Sequence, residues 1–283
     1  MAVQKTFLKW VGSKVRMMPE LLRHVPPSGS VLREAFAGSG ALFMNTNYEV
    51  YHLNDANADL INSFRLIAED CDAFIRDLKA LFLDGNSASV YDERVKQYNT
   101  STEGRERALL FNYLVRHSFN GLYRVNQGGG FNAPFGRYAS VYFPEQEMTL
   151  FAEKVTRARE VHFSALDFQQ FLNQGLQEKG GEGVLYLDPP YVPASTTSNF
   201  CSYTGGGFTG FHQQLLHHYA VMYAAGGHKV VLSNSDTPIT RKLYAGHMVN
   251  PVDVRRSVAS KGERRGKAQE LIVCYQRPAA AAA

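Results

Sequence analysis

A short apolar run that ends in a stiff polar loop constrains the fold of this chain more than any other feature. Four apolar residues, Val184–Leu187, are followed directly by the tetrapeptide D-P-P-Y at 188–191. Such a run is typical of a strand that is buried on both faces, as in the parallel sheet of an α/β protein. Because open α/β sheets bind ligands at the carboxyl ends of their strands, the tetrapeptide is predicted to lie in a ligand site.

The residues of the tetrapeptide suit the recognition of a flat base that carries an amino group. The carboxylate of Asp188 and a backbone carbonyl can accept two N–H bonds, while Pro189 and Pro190 restrict the loop. The ring of Tyr191 offers a face on which a base can stack. An ordinary turn after a strand, with a tyrosine that only packs in the core, is the alternative interpretation.

Two further segments extend the predicted site to neighbouring strands. The segment F-A-G-S-G at 36–40 lies between a predicted strand and a predicted helix, where glycines allow a nucleotide-like cofactor to approach the backbone closely. Asp55 ends the next predicted strand, where a carboxylate can accept the hydroxyls of a ribose. Phe43 stands where a dinucleotide-binding fingerprint has a third glycine, so S-adenosylmethionine, which has no pyrophosphate, is the favoured cofactor. A tight turn without a ligand is the alternative for the glycines alone.

The composition limits the class of protein to which the chain can belong. It has 283 residues, of which 45% are hydrophobic and 20% are charged, so it can bury a large core. No apolar run is long enough to cross a membrane, and three scattered cysteines without a C-x-x-C motif predict a cytoplasmic protein. The nine histidines lack the spacing of a zinc site, so no metal is predicted. A net charge of +4 permits a polyanionic partner.

The alternation of strands and helices predicts a parallel α/β sheet that one long insertion interrupts. Runs of strand length begin at Val31, Tyr48, Glu160, Val184, Lys229 and Glu270. From 59 to about 117 the apolar spacing is helical, and from 119 to 142 five glycines stand among asparagine, arginine and aromatic residues. The predicted domains are a sheet domain at 1–56 and 146–278, an inserted helical and loop domain at 57–145, and a disordered tail at 279–283.

Several motifs, taken together and in order, are those of one enzyme family. They are F-L-K-W-V-G-S-K at 7–14, the glycine turn at 36–40, D-A-N at 55–57, N-G-L-Y-R at 120–124, N-A-P-F-G-R-Y at 132–138 and D-P-P-Y at 188–191. In these motifs the chain resembles the Dam family of DNA adenine-N6 methyltransferases, with the motif order of the α class. The resemblance implies a Rossmann-like S-adenosylmethionine-dependent methyltransferase sheet with an inserted target-recognition domain. Departures are Val11 and Ser13, where the family often has alanine and glycine, and Phe119, where it often has tyrosine.

The resemblance also implies which residues contact the cofactor. By that resemblance, S-adenosylmethionine would contact Trp10, Lys14, Asp55 and Asp188. The glycine turn is expected to add Phe36, Gly38 and Gly40. Asp167 follows another predicted strand, where it either binds the adenine amino group of the cofactor or caps a helix.

The glycine-rich loop from Phe119 to Tyr138 carries residue types that read DNA. Arg124 can contact guanine O6 and N7, and Arg137 can hold a phosphate. Apolar contact with a thymine methyl group is expected from Leu122 and Pro134. The gap left by a flipped base can be filled by Phe119 or Asn120. By resemblance Lys9 contacts the first guanine of GATC, while a glycine-rich surface loop without DNA contacts is the alternative.

Two more segments are predicted to act on the substrate. Six lysines and arginines at 255–267 are opposed only by Glu263, which favours a loop that grips the DNA backbone, with a solvated face as the alternative. The segment 193–208 is rich in serine, threonine and glycine. It is expected to be a flap that orders on substrate binding.

Together these features predict direct methyl transfer from S-adenosylmethionine to N6 of an adenine that is flipped out of double-stranded DNA, in GATC by the resemblance. The Asp188 carboxylate and the Pro189 carbonyl would each accept one N–H of the amino group and draw its lone pair towards the methyl group. No cysteine stands directly before the tetrapeptide, as the nucleophile of a pyrimidine-C5 methyltransferase would, so we expect no covalent intermediate; we also expect no metal. The enzyme is expected to be a monomer in solution.

Other functions stay open at the level of sequence. A methyltransferase of a restriction–modification system with another target, or one that acts on RNA, would carry the same motifs. A nicotinamide-dependent oxidoreductase would use the glycine turn and Asp55, but it gives D-P-P-Y no role. A non-catalytic DNA-binding module would explain the basic loops, but it needs no cofactor turn.

Overall fold

The computed structural model describes residues 3–178, 182–192, 207–255 and 267–276. The tail at 279–283, most of the predicted flap and most of the basic stretch lie outside the described residues, so the predictions on them stay predictions. Within the described ranges, no helix is long and apolar enough to span a bilayer.

A seven-stranded sheet forms the centre of the protein. Its strands are β1 Ser28–Glu34, β2 Asn47–Asn54, β3 Glu160–Ser164, β4 Val184–Leu187, β5 Lys229–Ser235, β6 Met248–Arg255 and β7 Lys267–Tyr275. They are arranged in the order β3-β2-β1-β4-β5-β7-β6, and β1 to β5 are parallel to one another. The α/β sheet predicted from the sequence is confirmed. The strand order changes direction between β1 and β4, which is where open sheets of this kind bind ligands.

The last two strands differ from the expected parallel pattern. β7 lies between β5 and β6 and is antiparallel to both. The sequence did not predict β6, because Asn250, Pro251 and Asp253 interrupt its apolar residues. A proline is tolerated there because β6 lies at the edge of the sheet.

Helices cover both faces of the sheet. They are α1 Met18–Leu21, α2 Ala41–Met44, α3 Ala58–Glu69, α4 Cys71–Leu83, α5 Ala88–Thr100, α6 Gly104–His117, α7 Glu145–Arg157, α8 Phe168–Gln177, α9 Gly210–Ala225 and α10 Pro238–Leu243. Alternate residues of β4 pack into two cores, with Val184 and Tyr186 on one face and Leu185 and Leu187 on the other. The first core includes residues of α1 to α7, and the second includes residues of α8 and α9. The prediction that β4 is buried on both faces is therefore confirmed.

The predicted insertion at 57–145 contains α3 to α6, followed by loops. The side chains that cap the first N–H groups of these four helices are Asn57, Asp70, Ser87 and Glu103. From Ser118 onwards the chain forms a loop with two isolated bridges, Ser118 to Phe135 and Val125 to Phe131. Because α3 also packs on α7 and β3, the division into two domains stays a prediction.

Candidate active site

A cavity of about 1420 Å³ opens where β1, β2, β3 and β4 end. The predicted site residues that line it are Lys9, Trp10, Lys14, Phe36, Gly38, Asp55, Phe119, Asn120, Leu122, Asp167, Asp188, Pro189, Pro190 and Tyr191. Four predicted residues do not line it, namely Gly40, Arg124, Pro134 and Arg137. Segments that are far apart in sequence thus meet in one site at the strand ends.

Asp55 holds the glycine turn in shape. Its Oδ2 accepts the N–H of Gly38 at 3.0 Å, and its Oδ1 accepts the N–H of Asn57 at 2.9 Å. Burial raises the pKa of Asp55, and the two hydrogen bonds oppose that rise. Gly38 has a φ of +50°, and a Cβ at this position would meet the Trp10 indole at 3.2 Å, so the turn requires glycine. Gly40, with a φ of +70°, instead precedes the first residue of α2 as its N-cap.

Asp167 has the capping role that was one of its two predicted interpretations. Its Oδ1 accepts the N–H of Gln169 at 2.8 Å, which makes Asp167 the N-cap of α8. Asp167 also lines the cavity, so its capping role keeps it beside the predicted cofactor site.

Lys14 and Asp188 form a buried ion pair at the floor of the site. Lys14 Nζ lies 2.9 Å from Asp188 Oδ1, and the two side chains are only 9% and 17% exposed. Beyond this ion pair, Oδ1 receives no hydrogen bond from the described residues. Burial is the largest effect on Asp188 and raises its pKa to about 6, although Lys14 opposes the rise. At neutral pH the carboxylate is therefore ionised and able to accept N–H bonds.

Buried polar side chains hold the backbone of the tetrapeptide. Gln213 on α9 donates from Nε2 to the Pro190 carbonyl at 2.9 Å. Asn234 on β5 accepts the N–H of Val192 at 3.2 Å, and the hydroxyl of Ser235 donates to the Val192 carbonyl at 2.6 Å. No hydrogen bond from the described residues reaches the Pro189 carbonyl. The Pro190 carbonyl is thus occupied inside the protein, which leaves the Pro189 carbonyl as an acceptor for a ligand.

Besides Asp59, which is paired with Arg107, two acidic residues of the cavity were not predicted from the sequence. Glu34, at the end of β1, is 2% exposed, and its Oε1 has no hydrogen-bond partner among the described residues. Burial raises the pKa of Glu34 to about 8, so it is mostly protonated at neutral pH. Glu270 on β7 accepts the hydroxyl of Tyr191 at 2.7 Å. Glu34 lies two residues before the glycine turn, which was a sequence signal that could have found it. Glu270 could be found only once the direction of β7 was known.

Tyr138 joins two of the predicted DNA-binding residues at the mouth of the cavity. Lys9 Nζ donates to the Tyr138 hydroxyl at 2.9 Å and lies 4.0 Å from the centre of its ring. The same hydroxyl accepts the N–H of Asn120 at 2.6 Å and donates to the Ser118 carbonyl at 3.1 Å. Asn120 has a φ of +55°, and Phe119 beside it is 49% exposed. Tyr138 is the last residue of the motif at 132–138, but it was not predicted as a site residue.

Three other predicted DNA-binding residues, Arg124, Pro134 and Arg137, lie on the same loop but outside the cavity, whereas Leu122 lines it. Arg124 donates from Nε to Asn132 Oδ1 at 2.8 Å and from Nη2 to the Asn132 carbonyl at 2.6 Å. The guanidinium is exposed, as are Pro134 and Arg137. Arg137 has a φ of +51°, which places it in a turn. The structure therefore separates the predicted residues into a group in the cavity and a group on the surface of the loop.

Comparison with known proteins agrees with this arrangement. The model of the D12 class of N6 adenine-specific DNA methyltransferases matches residues 10–258. A DNA adenine methylase of Vibrio cholerae is 40% identical over 277 residues, which cover 97% of each chain. That of Serratia marcescens is 40% identical over 279 residues, covering 98% of this chain and all of the relative. The DNA adenine methylase of Escherichia coli K12 is 37% identical over 277 residues, covering 98% and 97% of the two chains.

The matched range includes the glycine turn, the helices of the insertion and the tetrapeptide. A methyltransferase needs a methyl donor and an acceptor, and the cavity at the strand ends has room and polar groups for both. The prediction of a DNA adenine-N6 methyltransferase is thereby confirmed. The chain belongs to the D12 class of N6 adenine-specific DNA methyltransferases.

Proposed function

We propose that this protein transfers the methyl group of S-adenosylmethionine to N6 of an adenine in GATC, after that adenine has left the DNA duplex. The observation that carries the proposal is the pair of acceptors at Asp188 and Pro189 in one cavity with the glycine turn. An adenine amino group has two N–H donors, and these two oxygens match them in number and type.

The residues of the cavity fit S-adenosylmethionine. Asp55 uses one lone pair of each oxygen to hold the turn, and each oxygen keeps a second one that can accept a ribose hydroxyl. Gly38 leaves the backbone open to the ligand, and Trp10 and Lys14 line the same wall. The partnerless Oε1 of Glu34 gives the site a buried polar atom that a hydrogen bond with a ligand would satisfy. Bound there, the cofactor supplies an electrophilic methyl group on sulfur.

Asp188 and Tyr191 are proposed to prepare the amino group for attack. Asp188 and the Pro189 carbonyl accept one N–H each, which pulls the nitrogen lone pair out of the ring plane. The ring of Tyr191 stacks on the adenine and fixes its position, and such positioning carries much of the rate enhancement. After transfer the nitrogen must lose a proton, and the Asp188 carboxylate, already bonded to that N–H, is placed to take it.

The loop between 118 and 138 is proposed to read the target as part of a recognition domain at 57–145. Lys9 and Tyr138 lie beside the mouth of the cavity, where they can contact the base pair next to the flipped adenine. Phe119 is exposed enough to enter the base stack in place of that adenine. Arg124 presents its exposed guanidinium to a guanine edge further along the duplex.

One chain contains both the cavity and the reading loop, so we propose that it acts on double-stranded DNA as a monomer. We also propose that it works in the cytoplasm, at the bacterial nucleoid or in a phage-infected host cell, because its substrate is DNA.

The test is to incubate an unmethylated plasmid with the protein and S-adenosylmethionine, then to digest it with two nucleases. One nuclease is blocked by N6-methyladenine in GATC, and the other requires it. Resistance to the first and cleavage by the second are expected. Tritium transfer to duplexes with single changes in GATC, and to an RNA duplex, then measures the target. Equal methylation of altered duplexes would overturn the GATC assignment, and preference for RNA would overturn the choice of DNA.

A further inference from the structure

We propose that Glu270 is a positioning residue for methyl transfer, which fixes the ring of Tyr191 by accepting the hydrogen bond of its hydroxyl. The proposal rests on the function proposed above for the tetrapeptide. It adds a residue of the last strand, β7, to a cavity whose predicted site residues come from the N-terminal segment, the ends of β1 to β4 and the loop after α6.

The antiparallel direction of β7 brings Glu270 to this site. β4 and β5 end at the cavity, whereas β7 begins there, so a residue from the first half of β7 lies at the strand ends. Glu270 is paired in register with Ser235 of β5 and Val252 of β6, and it lines the cavity. Its Oε2 lies 2.7 Å from the hydroxyl of Tyr191.

The hydrogen bond to Glu270 restrains the ring of Tyr191, which the hydrogen bonds to its neighbouring backbone groups do not restrain. Gln213 and Asn234 hold the main chain on either side of Tyr191. A tyrosine held through its main chain alone keeps two side-chain torsions, and the plane of the ring changes with both. A hydrogen bond at the hydroxyl end of the ring restricts both torsions. On the face of the ring, Lys14 Nζ lies 4.8 Å from the ring centre. The stacking surface is therefore in place before a base arrives.

Glu270 also adds a negative charge beside Asp188. The ionisable groups of the described cavity near these two are Lys14, Glu34, Tyr186 and Tyr191. The register partners of Glu270 on β5 and β6, Ser235 and Val252, carry no charge. The pKa of Asp188 is raised to about 6 first by burial and to a smaller extent by Glu270, while Lys14 and the hydroxyl of Tyr191 oppose the rise. Removal of the Glu270 charge therefore lowers the pKa of Asp188.

The experiment compares Glu270→Gln, Glu270→Ala and Tyr191→Phe in the full chain, with tritium transfer to a GATC duplex as the assay. Glutamine keeps an oxygen that accepts the tyrosine hydroxyl, so kcat is expected to stay within about twofold at about pH 8. Alanine is expected to lower kcat about tenfold, because small displacements at a reacting centre are costly. Tyr191→Phe removes the same bond and also the contact of that hydroxyl with Asp188, so it is expected to lower kcat at least as much as Glu270→Ala. The double variant should fall no further than Tyr191→Phe alone, because the bond to Glu270 is already lost.

The pH profile supplies a readout that a purely structural glutamate would not move. In Glu270→Gln the acid limb of kcat/KM is expected to shift to lower pH, because Asp188 stays ionised further into acid. The matched control is the pair Tyr142 and Glu147, whose hydroxyl and carboxylate lie 2.9 Å apart outside the cavity. Glu147→Gln is expected to keep both the wild-type kcat and the wild-type acid limb.

The outcomes separate this proposal from the function on which it rests. A wild-type kcat in both Glu270→Ala and Tyr191→Phe would overturn the role of Glu270. The same conclusion would follow if Glu270→Gln lost as much kcat as Glu270→Ala and the acid limb of Glu270→Gln were unshifted. Calorimetry of S-adenosylmethionine binding checks that each variant is folded. If Glu270→Ala does not fold, the comparison of Glu270→Gln with Tyr191→Phe decides the question. Full activity of Asp188→Ala in the same assay would instead overturn the role of the tetrapeptide itself.

Discussion

The catalytic loop at 188–192 and the recognition loop at 118–138 are built in different ways. The catalytic loop is held by the buried side chains of Gln213 and Asn234, which belong to a helix and a strand of the sheet. The recognition loop is fixed to α5 by Tyr91 and Asn99, but many of its contacts are between its own residues, and much of it is exposed. Methyl transfer needs atoms fixed to within a fraction of an ångström, whereas reading DNA needs side chains that reach outwards.

This difference predicts that substitutions in the two loops affect different quantities. A change in or behind the catalytic loop should lower kcat and leave DNA affinity and target choice almost unaltered. A change in the recognition loop should alter target choice or affinity and leave kcat on the best duplex almost unaltered. Each prediction below tests one side of that division.

The largest effect is expected from Asp188→Ala. The variant loses an acceptor for the adenine amino group, and kcat is expected to fall by more than about 10³-fold. Affinity for a GATC duplex, measured by fluorescence anisotropy, should change little. Asp236→Ala is the matched control, because Asp236 follows β5 as Asp188 follows β4 but is bonded to Arg241 outside the cavity. Strong loss of DNA affinity in Asp188→Ala would contradict the division.

Arg124→Ala tests the other loop. Loss of a guanidinium that contacts a guanine edge is expected to reduce discrimination against a changed base pair by about 50-fold. Arg137→Ala is the matched control, because a phosphate contact weakens binding to all sequences alike and reduces the salt dependence of binding. The measurement is kcat/KM on GATC and on duplexes with one substituted guanine. Equal losses on all duplexes in both variants would show that Arg124 does not read a base.

Gln213→Met tests whether the support behind the catalytic loop matters. Methionine has nearly the same length but donates no hydrogen bond, so the Pro190 carbonyl loses its partner. We expect kcat to fall on the order of 20-fold, with unchanged preference for GATC. Gln214→Met is the matched control, because the neighbouring Gln214 is exposed on the same helix. A changed target preference in Gln213→Met would show that the two loops are coupled.

The two loops also differ in how far the sequence predicted them. The strand β4 and the loop after it followed from four apolar residues and two prolines, because the pattern is local in sequence. The supports of that loop, Gln213, Asn234 and Glu270, come from distant elements and had no motif to mark them. They could be found only once the order and direction of the strands were known.

In the recognition loop the motifs indicated the residues but not their arrangement. Asn132 is the partner that holds Arg124, and Tyr138 is the partner of Lys9, yet glycine-rich segments have no periodicity from which such contacts follow. The strand β6 was missed for a related reason, since Pro251 is compatible with a strand only at a sheet edge. The sequence did not reveal which side chains of this loop contact one another, or that β6 lies at the edge of the sheet.

The smallest effect is expected from pH, and it distinguishes the two loops within a single unmodified protein. Asp188 accepts N–H bonds only when ionised, and burial raises its pKa to about 6. Activity should therefore be constant above this value and fall about tenfold for each pH unit below it. DNA affinity is expected to stay nearly constant across the same range, because the recognition loop contacts DNA through arginine, aromatic and apolar side chains. Any activity that Asp188→Asn keeps should lack this acid limb. If DNA affinity and kcat of the unmodified protein fell together at low pH, the titrating group would instead lie in the recognition loop.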